Sequence, residues 1–276
     1  MGKLIEKLEQ VGQSGGGGFG FMGVARGASR PPRPAAILVS VGAGDTALAE
    51  AALDAGADGV VITSWTPASD TKGIAAAVDK HAGIWGVEFA ADGKDAAGVA
   101  PQARDTGAAF LIVAPETPAA ALLDEVERFD VVITVDPPKD DLSLIMMRAE
   151  NLIPAQAALV RFNFSGSDLA RLTVAEFARL RLICESIRFP RLITLQGAAS
   201  AHARLLIRLG ADALVLAGQG LSGEALAGQV KAFREELEKT PPRRESGASI
   251  SLSGTVPTAV QATPGQPKPE RDPEHE

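Results

Sequence analysis

Two carboxylates lie inside apolar, β-branched runs: Glu88 in GVEFA and Asp136 in TVDPP. A carboxylate held among apolar neighbours is placed for general-base work, which makes both candidate catalytic residues. Each has a structural alternative of equal weight, because a buried acid needs a partner and Arg161 can neutralise either. In VRFNFS, strand alternation puts Arg161, Asn163 and Ser165 on one face and Phe162 and Phe164 on the other. If the Phe face packs against helices, Arg161 turns toward a ligand phosphate or carboxylate, and Asn163 joins the catalytic candidates. Ser40 and Trp65, at the ends of two other apolar runs, are expected substrate contacts.

A second kind of chemistry needs only backbone. Gly197-Ala198-Ala199-Ser200 and Gly218-Gln219-Gly220-Leu221-Ser222 each separate a β-like run from a helical one. Turns this small let an anion reach N–H groups at a helix start, where the dipole favours negative charge. Gly197, Ala198, Ser200, Gly218, Gln219 and Gly220 are therefore the expected phosphate-binding set. Gly218 to Gly223 also spells G-x-G-x-x-G, but the helix after it runs straight into a polar tail, with no further strand ending in an acid. It reads as a phosphate-sized turn and not as a dinucleotide site. No H-x-H, HExxH or DxDG occurs, so no metal site is expected. Cys184, the single cysteine, falls in a helical run and reads as a core thiol.

The elements that must hold these residues recur. AGADGVVIT, TGAAFLIVA and LGADALVLA each place Gly-Ala just before an apolar run, the form of a helix stop, a short turn and a strand. Eight strand–helix units fit between Ala35 and Leu237. That predicts an α/β fold, a closed (β/α)8 TIM barrel with function at the C-terminal strand ends; an open doubly wound sheet is the alternative. The strand-end candidates then also include Asp45, Thr63, Ser64, Glu116 and Gln196. KDAAGVAPQARDTG is expected as a weak helix, broken by Gly98 and Pro101, and PKDDLSLIMMRAENLIP as a further one.

Three regions are expected. Residues 1–34 give an amphipathic helix, with Leu4, Ile5, Leu8 and Val11 on one side, and a Gly-rich linker. That helix either closes the bottom of the domain or docks a protein partner. Residues 35–239 form the barrel. Residues 240–276, rich in Pro, Ser, Thr and Gly, are expected to be a disordered tail, a spacer or a second route to a protein partner.

A net charge of −7 argues against binding nucleic acid, which needs a dense basic face. No run approaches the roughly 18 apolar residues of a membrane span, and the charged N-terminus is no secretory signal. A cytoplasmic protein is expected. Aromatic residues make up only 4% and Tyr is absent, leaving Ala, Val, Leu and Ile to fill the core, as parallel strands require.

The stretch LQGAAS…LGADALVLAGQGLSG resembles the phosphate-binding end of the (β/α)8 barrels that bind ribulose-phosphate-type ligands, such as indole-glycerol-phosphate synthase and thiamin-phosphate synthase. It is similar too to FMN barrels such as nitronate monooxygenase. The resemblance implies that Gly197 and Gly218 grip a ligand phosphate, and that the ligand is a phosphorylated small molecule or FMN. Lyase- or isomerase-type proton transfer, flavin-dependent oxidation, or a barrel kept as a non-catalytic scaffold are the functions it leaves open. Gln196 and Gln219 stand where that pattern has small or hydroxyl residues, and strand one lacks its lysine or acid.

Overall fold

A computed structural model describes residues 2–13, 33–89, 98–118, 122, 126, 128–136, 155–162, 169–194 and 197–241. Asn163, Ser165 and Gln196, the run 137–154 and the tail from 242 lie outside the described residues, as does the linker 14–32. The strands are β1 (Ala36–Gly42), β2 (Gly59–Trp65), β3 (Ile84–Phe89), β4 (Phe110–Val113), β5 (Asp130–Val135), β6 (Ala157–Arg161), β7 (Arg191–Thr194) and β8 (Ala213–Ala217). They pair in chain order, all parallel, and β1 pairs with β8, so the sheet closes into a ring. The open-sheet alternative is excluded. Around it the described helices are α1 (Lys3–Gln13), α2 (Thr46–Asp54), α3 (Lys72–Lys80), α4 (Val99–Asp105), α5 (Val174–Ser186), α6 (Ala203–Leu209) and α7 (Gly223–Glu238).

The repeated Gly-Ala works as the sequence implies. Gly56, Gly107 and Gly210, with φ of +100°, +90° and +108°, end the helices before β2, β4 and β8 in the left-handed conformation that Cβ-bearing residues resist. The residue just before a strand then reaches back to the start of the preceding one. Asp58 accepts from the Ile37 N–H at 2.8 Å, Gln156 from Val131 at 2.7 Å, and Asp212 from Arg191 at 2.8 Å. Asp58 also holds the buried Arg33 guanidinium at 2.7 Å.

Pro101 does not break α4; it sits in the first turn, where its missing N–H costs nothing, and Gly98 (φ +90°) precedes the helix. Thr173 starts α5 with a capping box, its hydroxyl accepting from the Glu176 N–H while the Glu176 carboxylate takes the Thr173 N–H.

Strand alternation divides the core in two. Outward residues such as Ile37, Val39, Ile62 and Val87 pack against the helices. Inward residues, among them Leu38, Val61, Phe110, Ile112, Leu159 and Val215, fill the barrel itself. A Cβ at Gly86 would land within the Phe110 ring, so the large side chain fits because its neighbour across the β3–β4 pair has none.

α1 plugs the N-terminal end. Leu4 and Val11 are buried in the inner core, with Leu8 packed beside them, so the apolar stripe faces the barrel. Asp130, at the start of β5, accepts from the Leu4 N–H at 2.9 Å and so satisfies the helix's first turn. A Cβ at Gly2 would overlap this carboxylate, which only glycine lets the chain approach. Burial pushes the Asp130 carboxyl above the usual carboxylate range, against the opposing pull of the Leu4 and Ile5 N–H groups.

Candidate functional site

At the opposite, C-terminal end the inward positions change from apolar to polar. Val61, Leu159 and Val215 form a floor; one pleat higher along the same strands come Thr63, Arg161 and Ala217, joined by Ser40, Glu88 and Thr194. Together with Ser64, Phe162 and Gln219 they line a cavity of about 380 Å³, within the range of small-molecule sites.

Glu88 and Arg161 are the charged groups among the described lining residues, and they meet in an ion pair, Arg161 Nη2 donating to Glu88 Oε1. β3 and β6 stand three places apart round the ring, so the pair spans the mouth above the floor. With side chains 22% and 39% exposed, it is a partly wet pair, worth on the order of 1 kcal/mol or less and cheap to rearrange. Gln219 donates to Thr63 Oγ1 at 2.6 Å, and Thr63 donates to the Val41 carbonyl at 3.1 Å, bridging the β8–α7 corner to β2. The Ser40 hydroxyl donates to the Leu216 carbonyl at 3.4 Å.

The corner after β2 carries a backbone distortion. The β2–β3 register shifts between Ile62 and Trp65, and Ser64 has φ +53°. The extra residue reverses the alternation. Thr63 faces the mouth, Ser64 is lifted onto its rim, and Trp65 pairs in register with the outward-facing Phe89. Trp65 is fully buried in the helix-facing core, so the expected substrate contact there is corrected. A left-handed non-glycine residue at a cavity rim is the kind of strain that binding sites hold.

The two glycine corners are adjacent, as β7 pairs with β8 and Gln229 of α7 donates to the Ala198 carbonyl at 3.2 Å. Their donors differ from the expected set. The Gly218 N–H is taken by the Ser40 carbonyl at 2.8 Å, and a Cβ on Gly218 would come within 2.8 Å of that same oxygen. Gly218 is thus a close-approach glycine between β8 and β1, not a donor to a ligand. Among the described residues no acceptor meets the N–H groups of Gln219, Gly220, Ala198 and Ser200, whereas the Ala199 N–H donates to His202 Nδ1 at 3.3 Å. Gly197 and Gly220, with φ of +63° and +78°, shape the two corners. Ser222 starts α7 by accepting from the Ala225 N–H at 3.3 Å.

Of the expected residues, the mouth thus unites Ser40, Thr63, Ser64, Glu88, Arg161 and Gln219. Asp136 is exposed just past the end of β5 and is not part of the cavity wall. Asp45 turns back to accept from the Gly42 N–H at 3.1 Å. Thr194 was not anticipated; it lines the cavity at the end of β7, in register with Arg161, and strand alternation would have found it. Among the described residues no group of three His, Cys, Asp or Glu side chains is placed to hold a metal ion, and no helix is long and apolar enough to cross a membrane.

No protein-family model matches the sequence, and no curated protein matches it. Solved structures share the fold. Thiamine phosphate pyrophosphorylase from Pyrococcus furiosus superposes with a TM-score of 0.56 at 15% identity, covering 75% of this chain and 96% of that one. Orotidine 5'-phosphate decarboxylase from Pyrococcus horikoshii gives 0.53 at 13% identity, covering 72% and 99%. Tryptophan synthase from M. tuberculosis gives 0.58 at 13% identity, covering 75% and 94%. At this identity the likeness is one of fold, a (β/α)8 barrel.

Proposed function

We propose that the protein binds a phosphorylated small molecule in the mouth of the barrel. The observation that carries this reading is the pair of adjoining corners whose Gln219, Gly220, Ala198 and Ser200 N–H groups meet no acceptor among the described residues, at the end of the barrel that holds the polar cavity. Backbone N–H groups near the start of a 16-residue helix such as α7 suit a phosphate without any further cation. Two of the proteins that share the fold are named for phosphate compounds, thiamine phosphate and orotidine 5'-phosphate, which supports the same ligand class. The rest of the ligand would lie on the Val61, Leu159 and Val215 floor, within reach of the Ser40, Thr63 and Thr194 hydroxyls. In this reading Glu88 moves a proton on it and Arg161 steadies the charge that results, a lyase- or isomerase-type step.

Calorimetric titration of the purified protein with glycerol 3-phosphate, ribose 5-phosphate and FMN tests this. Saturable binding of one of the sugar-type esters, weakened at least about tenfold by Gln219→Glu through charge repulsion at the corner, is the expected result. Binding of FMN alone would make the mouth a flavin site. Absence of binding at millimolar ligand would remove the phosphate reading.

A further inference from the structure

We infer that the ligand is a small phosphorylated zwitterion of amino-acid type: besides its phosphate it carries one ammonium and one carboxylate, which open and replace the Glu88–Arg161 pair. The inference rests on the phosphate reading above and names the chemistry of the ligand's other end.

The charges of the mouth are balanced before anything binds. Glu88 and Arg161 satisfy one another, and the other polar groups around them, Ser40, Thr63, Ser64, Thr194 and Gln219, are neutral. Because both side chains of the pair stand in the cavity wall above the Leu159 floor, a charged ligand that settles there competes with it. What happens next depends on the ligand's charges. A lone carboxylate takes Arg161 and strands Glu88, for which no second cation stands among the described lining residues. A lone ammonium takes Glu88 and strands Arg161 in the same way. A neutral polyol competes for neither charge. A ligand bearing both signs exchanges one internal pair for two intermolecular ones and leaves every charge partnered, the arrangement that a partly dehydrated site favours. The hydroxyl-bearing Thr63, Thr194 and Ser40 can donate or accept toward whichever end lies near them.

The test is titration of the full chain with four phosphate esters, O-phospho-L-serine, 3-phosphoglycerate, phosphoethanolamine and glycerol 3-phosphate, and with L-serine. The wild-type protein should bind O-phospho-L-serine at least about tenfold tighter than the three esters that lack one or both charges, since a seated ligand excludes the water that keeps a stranded ion cheap in the free protein. Glu88→Gln should erase the preference over 3-phosphoglycerate, and Arg161→Gln the preference over phosphoethanolamine, with circular dichroism checking that both variants remain folded. The wild-type selectivity alone decides the matter should either variant fail to fold. Glycerol 3-phosphate binding as tightly as O-phospho-L-serine overturns the zwitterion inference and leaves the phosphate reading standing. L-serine binding as tightly as O-phospho-L-serine overturns the phosphate reading and leaves the paired-charge chemistry standing. Failure of all five to bind at about 10 mM overturns the inference, because a site matched to such ligands would exceed that weak threshold.

Discussion

At the scale of single residues, two glycines decide opposite things. Gly218 lets β8 come against the Ser40 carbonyl and packs on Leu226. Gly218→Ala should therefore lower the melting temperature, and a Trp there should unfold the corner instead of merely blocking a pocket; thermal denaturation followed by circular dichroism checks both. Gly86 yields its space to the Phe110 ring inside the barrel. Gly86→Ala overpacks that interior and should cost about 1–3 kcal/mol in urea denaturation. An unchanged midpoint would mean that the ring moves aside freely. Trp65 shows how one bulged residue changes a role: alternation from Thr63 would aim it at the mouth, and the displaced Ser64 sends it into the helix-facing core instead.

At the scale of elements, α1 belongs to the barrel because its apolar stripe completes the inner core and Asp130 receives its first turn. Leu4 is fully buried there. Leu4→Ala should cost about 2–5 kcal/mol, the range for emptying a large core position. Asp130 adds a dependence on pH. Its folded-state pKa is raised, so the fold favours the protonated form. Its contribution to stability is full below the ordinary Asp value near about 3.9 and is lost as pH rises through the higher folded value. Asp130→Asn can still accept from the Leu4 N–H but does not ionise. The stability of wild type relative to Asp130→Asn should fall across that window, measured by urea denaturation at a series of pH values; parallel curves for the two proteins would contradict it.

At the scale of the whole molecule, the two ends of the barrel divide the work, with packing at the α1 end and polar, rearrangeable groups at the mouth. Arg161→Gln should accordingly change the stability of the free protein by about 1 kcal/mol or less, since its pair is half wet. It should also weaken the thermal shift given by the bound ester, a shift set by how far ligand exceeds its dissociation constant. A loss of stability as large as that of Leu4→Ala would place Arg161 among the packing residues. Much of this plan was legible in the chain. The Gly-Ala stops, the eight units and the β-branched runs specify strand, helix and order, because a left-handed turn residue and a two-residue alternation are local properties. Alternation in VRFNFS likewise turned Arg161 into the barrel, provided the Phe face met the helices, and left Glu88 and Asp136 as its two possible partners. That Glu88, not Asp136, is the partner depended on which strands the closed ring sets facing each other across its mouth. The loss of Trp65 from the site and the use of the Gly218 N–H by Ser40 were decided in the same way, by a bulge and by a pairing between the first and last strands. Contacts between residues as far apart in the chain as Glu88 and Arg161, or Ser40 and Gly218, leave no periodic trace in a sequence; the folded barrel brings them together.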